Sequence, residues 1–256
     1  MKFKKFISPT LDFFTQNTID DQYFLPEIPS LNPVIADKII SIDIETRDPD
    51  LKTKGPSNYR QDPNGYMIGV AISNLKHSWY LPIQHEDGEN LEKENVICLL
   101  KDIAEIQNLE IIFHHAKYDL SWLRFPYGIK FNGLCRDTMQ MAALIDEYDT
   151  LSLDYLAKKY LNIGKDETKM IEAASIYGIV SSKNKNSIDT DEEESSDERD
   201  IDKDLSGPIK TNMWRFHPRF VAPYATQDAR ITLDLYSELK KYIDKEAVEE
   251  LLIFSE

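Results

Sequence analysis

Only two cysteines, Cys98 and Cys135, occur among the 256 residues of this chain. They make no metal-binding spacing and no disulfide framework, and no secretory leader is visible, so a reducing cytoplasm is the expected setting. Long apolar runs are missing as well: none approaches the roughly 20 residues that a membrane-spanning helix needs, so no membrane partner is expected. Glycine is sparse, nine residues in all, and neither a Gly-rich phosphate loop nor a Ser-His-Asp arrangement is present. Basic residues are outnumbered, with a formal net charge of −15. At face value that disfavours nucleic acid, whose backbone repels an acidic surface. The excess is uneven, however. Ten acids against two basic residues fall between 189 and 204, so that segment carries eight of the negative charges. What remains is mild enough for a polyanionic substrate met by local basic patches.

What the chain does have is an apolar, β-branched run with acids near its end: Ile39-Ile40-Ser41-Ile42-Asp43-Ile44-Glu45-Thr46. It predicts a buried central strand over about 38–45. Asp43 and Glu45 are two apart and share one face of that strand. An ionised carboxylate inside a core needs a partner or a metal. A divalent-cation site is one reading of the pair, and a strand end whose acids reach solvent is the other.

The rest of the pattern places helices against a mixed sheet. Residues 1–37, broken by Pro26, Pro29 and Pro33, read as an extended or irregular lead-in. A polar loop follows from Arg47 to about Gly65, rich in turn formers. It carries Lys52, Lys54, Tyr59 and Arg60, basic residues interleaved with an aromatic, which could touch phosphates and stack a base; for any one of them alone, a solvated loop with ordinary charges is the preferred reading. Residues 66–73 and 77–83 read as a hairpin, 95–106 as an amphipathic helix and 109–113 as a short buried strand. Asp119 then stands at the start of a helix, where a carboxylate is favoured by exposed amides. The adjacent His114 and His115 diverge and read as structural or substrate-positioning groups rather than metal ligands. Helices are expected over 137–148, 151–161 and 166–177, and a long one over 220–243 in which Tyr224 and Asp228 share a face. Residues 181–206, acidic and nearly devoid of apolar side chains, read as a disordered insertion. The resulting class is α/β, a mixed sheet with flanking helices.

Four acids thus recur at element ends: Asp43, Glu45, Asp119 and Asp228. Each has an ordinary explanation alone. Together they offer an all-oxygen donor set for two hard ions, Mg²⁺ or Mn²⁺, and such a pair can serve phosphodiester hydrolysis. Asp-x-Glu on a first strand, Asp in a His-x-x-Tyr-Asp context and Tyr-x-x-x-Asp on a final helix resemble the three motifs of the DEDD 3′–5′ exonucleases, which have a ribonuclease H-like (DnaQ-like) fold. The intervening Ile68-Gly69-Val70-Ala71, Tyr80-Leu81-Pro82-Ile83, Arg136-Asp137-Thr138-Met139 and Leu153-Asp154-Tyr155-Leu156-Ala157 are similar to the proofreading domains of bacteriophage and bacterial family A DNA polymerases. The resemblance spans roughly 38–243.

It implies that Asp43, Glu45, Asp119 and Asp228 ligate the metals and that Tyr224 holds the attacking water. The position five before the last acid, His in the histidine subclass, is Pro223 here, which makes this the tyrosine subclass. His115 departs from the Asn usual in the family and, with Thr46, Tyr59 and Arg60, is expected to hold the substrate strand. The implied function is hydrolysis of DNA from a single-stranded 3′ end, in proofreading for a polymerase domain or subunit. An RNA-trimming enzyme resembling ribonuclease D and a non-catalytic strand-binding module are the alternatives. The expected organisation is a lead-in over 1–37, an exonuclease domain over 38–243 and a tail or linker over 244–256.

Overall fold

At the centre of the molecule lies the apolar run itself, as the strand Ile39–Arg47 (β1). The computed structural model describes residues 25–179 and 209–243; the start of the expected lead-in, the acidic insertion and the expected tail lie outside them. Four more strands, Tyr66–Ser73 (β2), Ser78–Pro82 (β3), Glu110–Phe113 (β4) and Leu134–Asp137 (β5), complete a five-stranded sheet in the order β3-β2-β1-β4-β5. β1 is antiparallel to β2, and β2 to β3; β1, β4 and β5 run parallel. Helices Leu31–Ile35 (α1), Leu51–Lys54 (α2), Ser57–Arg60 (α3), Lys93–Ala104 (α4), Ala116–Tyr127 (α5), Thr138–Ile145 (α6), Leu153–Leu156 (α7), Thr168–Ile176 (α8) and Pro218–Leu239 (α9) flank it. A π-turn, Ala157–Leu161, continues α7, and a 3-10 turn, Lys210–Arg215, precedes α9.

Strand alternation divides β1 between two cores. Ile40, Ile42 and Ile44 point to one side, where they meet Leu100 and Ile103 of α4 and Trp122 and Leu123 of α5. On the other side α9 crosses the sheet. Its first half packs Phe220, Val221 and Ala225 near Ile68 and Ala71. Its second half packs Ile231, Leu233 and Leu235 near Ile112, Met141 and Leu156. Burial on both faces is what a central strand with parallel neighbours demands, and it explains the near-continuous apolar run.

The ladder between β1 and β2 is broken at one place. Glu45 faces Gly69 and Thr46 faces Met67, which leaves Ile68 as an extra residue on β2. This bulge turns Ile68 into the α9-side core, and its carbonyl accepts hydrogen bonds from the Ile83 and Gln84 N–H groups at 2.9 and 3.1 Å. The residues opposite the two acids are small: Ala71 faces Asp43 and Gly69 faces Glu45. A Cβ on Gly69 would come within 2.2 Å of the Tyr80 hydroxyl oxygen. That hydroxyl is fixed in turn: it donates to His85 Nε2 at 2.7 Å, while His85 Nδ1–H donates to the Phe216 carbonyl at 2.8 Å.

Several sequence expectations need correction. The polar loop contains α2 and α3, each four residues long, too short for periodicity to reveal. The described end of the lead-in is helical at α1, with Val34 fully buried and the Asn74 side-chain amide donating to the Pro33 carbonyl at 2.8 Å. β5 was not expected: its four residues include a buried Arg136 and so lack an apolar signature. Asp137 is not the first residue of a helix interior. It ends β5 and caps α6, accepting from the Met139 N–H.

Candidate active site

Beyond Ser41↔Ile112, β1 outruns β4, because the chain leaves the sheet at His114 and His115 to start α5. The exposed edge of β1 needs hydrogen-bond partners, and Asp119 from the first turn of α5 supplies one. The Ile44 N–H donates to Asp119 Oδ1 at 3.1 Å, which sets that carboxylate against the strand between Asp43 and Glu45. The turn that aims it is itself pinned. His115 has a left-handed backbone, φ 71°, and Asp137 accepts from both the His115 and Ala116 N–H groups at 2.9 Å.

From the other side, the Ser41 hydroxyl donates to the Ala229 carbonyl at 2.5 Å. This bond docks α9 on the polar face of β1, one residue from Asp228. Glu45, Asp119, Asp228 and Tyr224 are all buried; Asp43 keeps a partly accessible edge. The four acids therefore come from three separate elements into one region.

Electrostatics show how closely they are grouped. Burial, reinforced by Asp228, pushes Asp43 up to about 7, against the pull of Lys165 and Lys210. Glu45 is raised well above the ordinary carboxylate range by burial and then by Asp43 and Asp228. Asp119 is raised by burial and by Asp43, opposed by its bond from Ile44. The Tyr224 phenol is raised by burial and by Asp228, Glu45 and Asp43, which keeps it neutral. Like charges gathered in a poorly solvated place resist ionising together.

Two cations that the sequence reading passed over complete the region. Lys165 donates to Asp228 Oδ2 at 2.8 Å, and its ammonium lies 5.5 Å from the Tyr224 ring centroid. The Lys210 ammonium lies 5.4 Å from the same centroid. Neither stands in a recognisable motif; Lys165 reaches the site from the loop after the π-turn and Lys210 from the start of the 3-10 turn, so only the fold could reveal them.

Of the residues expected to hold a strand, Thr46 lies at the end of β1 and His115 at the start of α5, while Tyr59 and Arg60 belong to α3. The Thr46 and Tyr118 hydroxyls are hydrogen-bonded at 2.7 Å, and Tyr118 also donates to Asp48 at 3.3 Å. His115 stacks on Tyr118, 6.2 Å between centroids and 19° between planes. Asn58 of α3 donates to Ser121 of α5 at 2.7 Å, which docks the basic loop on α5. Tyr59 is half exposed and touches the exposed Phe125 ring, 4.6 Å between centroids. Arg60 is engaged with Asp62, Asp50 and the Ser57 hydroxyl. Tyr118 and Phe125 touch these residues and were not singled out from the sequence. His114 faces inward, its Nε2–H donating to the Leu151 carbonyl at 3.0 Å, as a structural histidine does.

The donor set fits a hard divalent cation. All the candidate ligands are carboxylate oxygens, and Asp228 Oδ1 is buried without a hydrogen-bond partner. As the side chains stand, no group of three or more acids, histidines or cysteines among the described residues forms a ready metal cage. No helix among the described residues is long and apolar enough to cross a membrane.

Comparison with known proteins gives the geometry a context. A family model described as 3′–5′ exonuclease matches residues 36–244. A DNA-directed DNA polymerase of Pseudomonas phage M6 is 30% identical over 233 residues, which cover 90% of this chain and 31% of the polymerase. DNA polymerase I of Borreliella burgdorferi is 34% identical over 127 residues, 48% of this chain and 12% of that protein. This chain thus spans a third or less of these relatives' length. Among solved structures, the catalytic core of RRP6 from Trypanosoma brucei superposes with a TM-score of 0.52 at 16% identity, covering 87% of this chain and 45% of that one. Pol1 from M. smegmatis gives 0.53 at 12% identity, covering 90% and 29%. At such identities the superpositions speak for a shared ribonuclease H-like fold alone.

Proposed function

This chain belongs to the family of 3′–5′ exonuclease domains related to polymerase proofreading domains, and from that premise we propose that it hydrolyses DNA from a single-stranded 3′ end in a divalent-metal-dependent reaction, as the editing partner of a DNA polymerase domain or subunit. The observation that carries this reading is the meeting of Asp43, Glu45, Asp119 and Asp228 beside Tyr224 on the α9 side of β1. These four acids would hold the ions, Mg²⁺ or Mn²⁺, as a pair. Bound there, such ions lower the pKa of an attacking water and stabilise the leaving oxygen.

The side chains do the rest. Neutral Tyr224, whose phenol resists ionisation, orients the attacking water by hydrogen bonding and takes no proton itself. Asp119, held by the Ile44 amide, would be a fixed ligand, and Asp43, partly accessible, would be the ligand open to solvent. The Thr46–Tyr118–Asp48 bonds and the stacked His115 form the wall along which the terminal nucleotide lies. The aromatic pair Tyr59 and Phe125 offers stacking surface to a base further back. The domain so assigned runs over 38–243, with the lead-in before it and the tail after it.

The test is digestion of 3′-labelled single-stranded DNA, a frayed duplex and matched RNA, each with Mg²⁺, Mn²⁺ or chelator. Metal-dependent release of mononucleotides from the DNA 3′ end is expected. Preference for RNA would replace proofreading with RNA trimming, and absence of hydrolysis with either cation would leave a strand-binding module.

A further inference from the structure

Asp228 already has a cation. The Lys165 ammonium sits 2.8 Å from its Oδ2, with the lysine side chain 6% and the aspartate side chain 9% exposed. Little water reaches this pair, and the other carboxylate oxygen, Oδ1, is buried without a partner. We propose that Lys165 is the resident counter-ion of Asp228 in the metal-free protein and the group that an incoming divalent ion displaces, so that this lysine sets the metal affinity of the site. The inference rests on the metal-dependent reading above.

The placement of Lys165 is built. Asn162 ends the π-turn in a left-handed conformation, φ 56°, and sends the chain back toward α9. There the Asp166 N–H donates to Gln227 Oε1 at 2.9 Å. Residues 165 and 166 are thus latched to the adjacent pair 228 and 227 by two side-chain bonds in succession. The Asp166 side chain then accepts from the Thr168 N–H at 3.0 Å, which starts α8 and holds the segment from its far end. The other charges facing Lys165 and Asp228 are Asp43, Asp154, Glu45, Glu167 and Lys210. Without metal, the lysine offsets part of this negative charge.

An ion that needs Asp228 competes with that ammonium for the same oxygen. Its apparent affinity is the intrinsic affinity scaled by the fraction of molecules in which the lysine has let go. The remaining positive charge also repels it at short range. Removing the charge while keeping the volume therefore tightens metal binding.

The experiment is Mn²⁺ titration by calorimetry of the wild-type chain, Lys165→Met and Lys165→Arg, with melting curves in chelator and in Mn²⁺. Lys165→Met is expected to lower the Mn²⁺ Kd at least about tenfold, to lower Tm in chelator, and to gain more Tm from Mn²⁺ than wild type does. Lys165→Arg keeps the charge and stays near wild type. If Lys165→Met does not fold without metal, Gln227→Ala decides instead: it cuts the latch but keeps the lysine, and tightens Mn²⁺ binding about threefold by raising the released fraction. An unchanged or weaker Kd in whichever variant folds overturns the inference alone. Absence of Mn²⁺ binding by the wild type overturns the metal reading and the inference with it.

Discussion

The two faces of β1 are made from one unbroken stretch of residues and obey opposite rules. On one face Ile40, Ile42 and Ile44 are almost wholly buried among aliphatic and aromatic side chains. Each such side chain stabilises the fold by about 1.5–3 kcal/mol. On the other face Ser41, Asp43 and Glu45 lie under α9, where burial raises the pKa of the acids and gives nothing back in hydrophobic energy. The first face sustains the strain of the second. A chain selected for stability alone would place apolar residues on both, as its neighbour Ile72–Ala71–Val70 nearly does. The difference marks where function is kept at the expense of folding.

The largest test breaks the polar face. Asp43→Asn should reduce nucleotide release on the order of a thousandfold, about 4 kcal/mol of barrier, in single-turnover digestion with Mg²⁺. Its Tm in chelator should not fall, because a neutral amide relieves the crowding of buried charge. Retained hydrolysis would remove Asp43 from the site. The complementary break is Ile42→Ala, one residue away on the other face. It should cost about 3 kcal/mol in denaturant unfolding through lost burial and a residual cavity, while the rate per folded molecule at saturating metal stays within a factor of a few.

Proton linkage sharpens the same contrast. Asp43 is raised to about 7, and Glu45 and Asp119 are raised as well. The contribution of Asp43 is full below the unfolded carboxylate range near pH 4 and is lost as pH rises through 7, and those of Glu45 and Asp119 are lost as pH rises through their own raised values. His85 and His114 act the other way. Burial lowers each from 6.5 to about 4, so their contribution is present above pH 6.5 and lost as pH falls through 4. In chelator the two trends oppose each other between pH 7 and 5. With Mn²⁺ the acids are held ionised and only the histidine trend remains. Acidification over that window should therefore lower Tm more with Mn²⁺ than with chelator, a difference on the order of 2 kcal/mol in stability. Equal slopes in both conditions would mean that the acids do not titrate as a metal-linked group.

Smaller effects probe how the polar face is kept open. Gly69→Ala drives a methyl into the Tyr80 hydroxyl and should destabilise by about 2 kcal/mol on chemical unfolding. A neutral outcome would show that Tyr80 and His85 are free to move. The least effect is expected at the rim, where Tyr59→Ala should weaken single-stranded DNA binding by about 1 kcal/mol with the cleavage rate at saturation unchanged, as read by anisotropy on a non-cleavable strand.

Much of this was legible before any coordinates. Asp43 and Glu45 announced themselves because two acids in an apolar β-branched run need a reason to be there. Tyr224, Asp228 and Asp119 each had an ordinary local explanation, and it was the resemblance to the three exonuclease motifs that joined them to that pair. Some short elements were not legible: α2 and α3 are single turns without a repeating apolar stripe, and β5 carries Arg136 and Asp137 where β4, equally short, carries Ile111, Ile112 and Phe113. Nor was the role of Asp137, which supports the turn before Asp119 from another strand.

By itself, the order of residues determined which acids exist, which pairs share a face and which strand is central, because these depend on local periodicity and on the aversion of charge to a core. Only the tertiary structure decided that β1 would outrun β4, leaving an amide for Asp119, and that Lys165, sixty-three positions from Asp228, would fill the place of a cation there. Such contacts depend on where loops end in space, and no local physical rule of the chain encodes that.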